Sequence, residues 1–268
     1  MTTTHPAPLP TLFVSHGSPM FALNPGEAGP VLAAFAARVP RPRAVVAVSP
    51  HWMTRSPEVL ASAQPATVHD FGGFPRELYA LDYPAPGAPG VAAEVIALLA
   101  GHGVTVQANE LAGRDHGTWV PLMHLYPDAD VPVIQLSQPA TRSPVVLLEL
   151  GRALAPLREQ GILLMGSGSI THNLYEFRAP RDPDDHYASE FTDWMWNTIA
   201  AGDLEALLDY RTRAPHAVRA HPTDEHLLPL YFALGAAGAD WTRATRLPGG
   251  VTDGVLAMDS FAFGDATA

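Results

Sequence analysis

The chain has no cysteine among its 268 residues. Disulfides and thiolate metal sites are therefore excluded, and any metal must rest on histidine or carboxylate ligands. Basic residues are also scarce: 16 Lys and Arg stand against 27 Asp and Glu, a net charge of −11. That balance argues against nucleic acid or an anionic membrane as partner, since both attract positive surfaces. No apolar run approaches the roughly 20 residues a membrane span needs. Residues 1–10 lack the basic start and apolar centre of a signal peptide, so a cytoplasmic location is expected, by exclusion. Walker-type and Gly-x-Gly-x-x-Gly patterns are missing, so nucleotide cofactors are not indicated. Length allows one domain or two, but no repeat or composition break marks a boundary. One domain over residues 1–268 is the expectation, and the oligomeric state stays open.

What is present suits a well-buried globular enzyme, with 47% hydrophobic and only 16% charged residues. Residues 11–15, 44–49, 131–136 and 162–166 are apolar runs without alternation, as strands covered on both faces are. Weaker strand patterns cover 104–108 and 255–263. Helical spacing recurs in 27–39, 91–100, 119–126, 144–157, 187–199 and 204–210. Thr223 has the chemistry of an N-cap for a helix to about 234, which would put His226 at its third position. Strands alternating with helices predict a three-layer α/β/α fold around a largely parallel or mixed sheet. Residues 65–89 are rich in Gly, Pro and aromatics, too apolar for a solvated linker, and read as a packed functional loop.

Histidine is abundant, with twelve in the chain, and their placement matters more than their number. His16, His51 and His172 each follow a strand-like run by a few residues, and Ser49-Pro50 ends one such run by breaking its ladder. In open α/β sheets the carboxyl ends of strands line the ligand crevice. Convergent imidazoles there hold Fe, Zn or Mn without thiolates. The plainer reading, that each ring bonds only a loop backbone, suits any one of them alone better than all three together. The 221–226 stretch offers a further ligand, His226 or Glu225, or else a helix start whose acidic residues favour the dipole. His116, between Asp115 and Gly117, reads either as an acid/base group oriented by a carboxylate or as part of a loop cap. Ser18, Ser167 and Ser169 do not sit in a Gly-x-Ser-x-Gly elbow, because 166–170 has the wrong register. An anion cradle from the amides of 166–169 is the weaker alternative.

These residues fall in stretches that resemble the DOPA 4,5-dioxygenase family of class III extradiol ring-cleaving dioxygenases. The matching pieces are Ser15-His16-Gly17-Ser18-Pro19, Ser49-Pro50-His51-Trp52, His69-Asp70-Phe71-Gly72-Gly73-Phe74-Pro75 and Asp115-His116-Gly117. Thr171-His172-Asn173-Leu174 and Pro222-Thr223-Asp224-Glu225-His226-Leu227-Leu228-Pro229 follow, in family order over most of the chain. The resemblance implies a non-haem Fe(II) enzyme that opens a catechol beside its hydroxyls with O2, with Zn(II) a form the purified protein can carry. It implies His16, His51 and His226 as metal ligands, His172 as acid/base group or fourth ligand, and His116 as a substrate contact. Asp70 and Asp115 are expected behind the imidazoles, fixing a tautomer, and the 71–83 loop is expected to wall off water. The wider class uses two His and one carboxylate, whereas this chain offers His226 with Glu225 beside it. Two rival readings are a zinc hydrolase that activates water with the same cluster and a non-catalytic binding protein of the same fold.

Overall fold

The structure is a computed structural model, and it describes residues 7–177 and 185–265. Its strands are β1 (Thr11–Ser15), β2 (Ala44–Thr54), β3 (Glu58–Leu60), β4 (Gln107–Asn109), β5 (Val133–Pro139) and β6 (Ile162–Gly168). After them come β7 (Ala244–Leu247), β8 (Val251–Thr252), β9 (Leu256–Ala257) and β10 (Ser260–Phe263). Eight strands form one mixed sheet in the order β4-β3-β5-β2-β6-β1-β10-β7, while β8 and β9 pair separately. The centre, β5-β2-β6-β1, is parallel, and β10 and β7 join antiparallel on one side. On the other side β3 runs antiparallel to β5 and parallel to β4. The carboxyl ends of β1, β2 and β6 thus share one edge of the sheet.

The helices are α1 (Ala28–Ala36), α2 (Arg76–Tyr79), α3 (Pro89–Gly101), α4 (His116–Leu125) and α5 (Pro144–Leu154). They continue with α6 (Tyr187–Ala201), α7 (Leu204–Leu208), α8 (Tyr210–Arg213), α9 (Ala217–Ala220) and α10 (Leu228–Ala237). Neighbouring residues of one strand point to opposite faces, and β6 uses this to separate two helices. A Cβ on Gly166 would come within 2.0 Å of the Pro229 carbonyl oxygen on α10. The hydroxyl of the next residue, Ser167, donates to the Gly117 carbonyl on α4. Helices α10 and α4 therefore cover opposite faces, as the apolar, fully buried β2 run from Ala44 to Val48 requires.

Four expectations change. First, β2 does not stop at Ser49-Pro50. Ser49 pairs with Ser137 and Met53 with the adjacent Gln138, so Pro50, His51 and Trp52 bulge out and the ladder resumes. Second, Thr223 caps no helix: residues 224–227 form a turn, and α10 begins at Leu228 with Pro229 in its first turn. The His226 carbonyl accepts from the Ser169 amide (2.8 Å) instead of starting a helical ladder. Third, 255–263 is two strands, because the Asp253-Gly254 turn folds β9 onto β8 before β10 enters the main sheet. Fourth, 104–108 yields only the edge strand Gln107–Asn109, since Val106 turns into the core. The 65–89 stretch is packed only in part: Pro65, Leu78, Tyr83 and Ala85 are buried, much of the rest is exposed, and it includes the short helix α2. Buried Arg114 anchors it, its guanidinium donating to the carbonyls of Pro65 and Tyr83 (2.8 and 3.0 Å).

Candidate metal centre

Five histidines meet at the shared strand edge. His16 follows β1 directly, His51 sits on the β2 bulge, His172 follows β6, His226 lies in the turn before α10, and His116 opens α4. The Nε2 atoms of His16 and His51 are 3.2 Å apart, and those of His51 and His226 are 3.3 Å apart. Two metal–nitrogen bonds of about 2.0–2.1 Å, at tetrahedral or octahedral angles, put their nitrogens about 2.8–3.4 Å apart. The spacing suits ligands of one small cation.

Hydrogen bonds behind the rings decide where the protons sit. Within α4, Pro121 has no N–H to give the Gly117 carbonyl one turn earlier. The Ser167 hydroxyl spends its single proton on that carbonyl, so at 3.0 Å from His16 Nδ1 it must accept from the ring. His16 Nε2 is thereby left with its lone pair. His51 Nδ1 faces the Asp70 carboxylate at 3.2 Å, a pairing that favours the proton on Nδ1 and again leaves Nε2 bare. His226 Nδ1 is buried without a hydrogen-bond partner, and Glu225 Oε1 at 3.5 Å favours the proton on that nitrogen. Three lone pairs then face one another with no proton between them, an arrangement that repels itself until a cation enters. The donor set fits a divalent metal ion held by neutral imidazoles.

Glu225, the alternative ligand, forms with His172 and His226 a second group of possible ligand atoms within 4.8 Å of one another, while its carboxylate also accepts from Thr223 Oγ1 (2.9 Å) and faces Arg142 (3.2 Å). His172 stands outside the trio and stacks on His226, with ring centroids 3.5 Å apart and planes 10° apart. His116 packs against the His51 ring at 4.0 Å and turns its Nδ1 to Asp70 Oδ2 at 3.0 Å. Its orienting carboxylate is thus Asp70 rather than the neighbouring Asp115. Asp115 caps α4 through the Thr118 amide and accepts from Ser49 Oγ (2.8 Å) and from Gln135. The amides of 166–169 are not grouped as an anion cradle: 166–168 pair within the sheet as part of β6, and Ser169 donates its amide to the His226 carbonyl at 2.8 Å.

Burial, joined by the charges of the other rings, holds His16 and His226 well below the ordinary imidazole range. Burial also pushes His172 down to about 4 and lowers His116 against the pull of Asp70. Burial alone would raise the Asp70 carboxyl, but hydrogen bonds from His116 and His51 outweigh it and keep it ionised. The rings of His51, His116, His172 and His226 line a cavity of about 740 Å³, with Phe71, Phe74 and Phe177 among its walls and exposed Leu174 and Tyr175 at its rim, while His16 lies buried beneath them. That volume is ample for a small aromatic ligand. Sequence reasoning weighed Ser167 only as a nucleophile or part of an anion cradle, quoted Gly117 only within a motif and passed over Pro121, so their place behind His16 was missed. The available signal was Pro121 standing four residues after Gly117, which frees a helical carbonyl.

Residues 10–252 match the family model described as the catalytic LigB subunit of aromatic ring-opening dioxygenase. The chain is 37% identical to the 4,5-DOPA dioxygenase extradiol of Beta vulgaris, over 94% of this chain and 96% of that protein. It is 40% identical to the protein of the same name from Escherichia coli K12, over 85% of each. A crystal structure of an uncharacterized protein from Escherichia coli K12 superposes with a TM-score of 0.77 at 32% identity, covering 96% of this chain and all of that one. A match over nearly the whole length, on a mixed α/β fold whose strand edge gathers these imidazoles, makes this chain a member of the LigB family of aromatic ring-opening dioxygenases, an oxidoreductase by class.

Proposed function

We propose that the protein is an extradiol dioxygenase that opens the ring of a DOPA-like or other substituted catechol with O2, using Fe(II) held by His16, His51 and His226. The reading rests on one observation above all: His51 Nε2 stands 3.2 Å from His16 Nε2 and 3.3 Å from His226 Nε2, and His51 and His226 open into a cavity of about 740 Å³. Relatives named 4,5-DOPA dioxygenase extradiol, at 37% and 40% identity, support a catechol of that kind. We infer one catalytic domain over residues 1–268.

His16, His51 and His226 would hold a divalent iron, which would supply the redox and Lewis-acid chemistry for a catecholate and O2, and neutral imidazole ligands would leave its charge to favour an anionic substrate. The remaining work falls to the chain. Neutral His172, beside the trio, is suited to take a hydroxyl proton from the catechol and to return it later. His116, oriented by Asp70 and packed against the His51 ring, lines the cavity where it can contact the substrate. Phe71 and Phe74 offer ring faces and exclude water from the reacting atoms.

The test is anaerobic reconstitution with Fe(II), followed by a panel of catechols including DOPA on admission of O2. A yellow semialdehyde product, with O2 consumed one for one, is expected. Turnover that proceeds equally with Zn(II) and without O2 would point to the hydrolase and end the dioxygenase reading. Failure to retain metal would point to a binding protein instead.

A further inference from the structure

Asp70 is the only carboxylate among the described residues that touches two of the site histidines at hydrogen-bond distance. Its Oδ2 lies 3.2 Å from His51 Nδ1 and 3.0 Å from His116 Nδ1, and its Oδ1 accepts the His116 amide at 2.9 Å. Each oxygen of a carboxylate accepts up to two hydrogen bonds, so one oxygen can serve both rings. We propose that Asp70 is a positioning residue that fixes a metal ligand and the substrate-facing histidine in the same tautomer, so that both present Nε2 as a lone pair. The inference rests on the metal-site reading above, not on ring cleavage.

The consequence for His116 is specific. With Nδ1–H committed to Asp70, its other nitrogen can accept a hydrogen bond from the substrate but cannot donate one. A catechol hydroxyl that still carries its proton is the partner such a nitrogen selects. The consequence for His51 is that its ligating nitrogen is free of hydrogen before any metal arrives. A simple tether between the 69–75 loop and α4 would need only the bond from Oδ1 to the His116 amide. The two imidazole contacts exceed what that tether requires.

Substitution by asparagine separates the two roles. Asn keeps the size and, through its carbonyl, the bond to the His116 amide, but it turns an NH2 group toward both imidazoles. An amide donor there demands Nδ1 lone pairs and drives both rings to the Nε2–H tautomer, which blocks the ligating nitrogen of His51. The tautomers are read by long-range 1H–15N correlation on metal-free protein labelled at histidine, with signals assigned by their loss in His51→Ala and His116→Ala.

In the unsubstituted protein both rings are expected as Nδ1–H. Asp70→Asn should invert them and weaken Zn(II) binding, measured by chelator competition, by about 10–100-fold. Asp70→Glu, which keeps the charge, should retain the Nδ1–H tautomers. An Nε2–H tautomer on either ring of the unsubstituted protein overturns the proposal, whether or not the Asn variant folds. So do unchanged tautomers and Zn(II) affinity in a folded Asp70→Asn protein. Neither readout involves turnover, so a protein that binds zinc this way yet cleaves no catechol would refute the proposed reaction and leave this inference standing.

Discussion

At the scale of single residues, imidazoles only a few ångströms apart carry different burdens. His51 is the hinge of the trio, since its Nε2 is within 3.3 Å of both His16 and His226. His51→Ala should therefore abolish metal retention. His172→Ala should keep the metal and lose turnover, because His172 contacts the cluster by stacking and not through the facing nitrogens. Metal content after gel filtration, beside O2 uptake, separates the two; an active, metal-replete His51→Ala protein refutes the ligand assignment. Ser167 acts one step further out. Its hydroxyl stands between the carbonyl that Pro121 frees and His16 Nδ1. Ser167→Ala leaves both without that partner and lets His16 take either tautomer, so Zn(II) affinity should fall by about tenfold or more. Chelator titration checks this; unchanged affinity would mean that the serine does not govern the His16 tautomer.

At the scale of elements, the fold depends on places where backbone meets backbone. Helices α5 and α10 each put a glycine at their crossing. A Cβ on Gly235 would come within 1.9 Å of the Leu148 carbonyl, and one on Gly151 within 2.1 Å of the Phe232 carbonyl. In an open helix Gly→Ala stabilises by up to about 1 kcal/mol. Here the helices must part, and overpacking costs about 1–3 kcal/mol or more. Gly235→Ala should therefore lower Tm by roughly 5 °C, at about 2–4 °C per kcal/mol for a chain of this size. Gly101→Ala in α3, with open space around it, should not. Calorimetry on both proteins distinguishes contact from propensity. The sequence makes much of this architecture legible. The unbroken apolar runs of β1, β2, β5 and β6 identify the buried centre of the sheet, and its carboxyl edge collects His16, His51 and His172 as those runs imply. The bulge at Pro50 to Trp52 was not legible, because it is defined by β5 resuming its pairing at Met53, a relation between distant strands. The turn holding His226 was hidden for the same reason: the Thr223 signal is local, whereas the Ser169 amide that claims the His226 carbonyl comes from the residue just past β6.

At the scale of the whole molecule, burial acts on histidines well beyond the facing trio. Burial holds His16, His116, His124, His172, His221 and His226 below the ordinary imidazole range, His172 at about 4 and His221 at about 3. In the unfolded chain these rings take protons near pH 6.5. Over the interval between, the unfolded state binds more protons than the folded one, so stability falls as the pH falls. The contribution of the neutral rings is complete above about pH 6.5 and is lost progressively toward pH 3. His221 carries a defined part of this loss. It is fully buried, donates from Nε2 to the Ile170 carbonyl at 2.7 Å, and supports the chain that leads into His172. A glutamine there keeps an amide donor but cannot take up a proton in acid. Metal-free His221→Gln should be less stable than the unsubstituted protein at pH 7, and its Tm should fall less steeply between pH 6.5 and 3.5, so that the two curves converge in acid. Calorimetry at half-unit pH steps reads both slopes; parallel curves would mean that the buried ring takes up its proton before the chain unfolds.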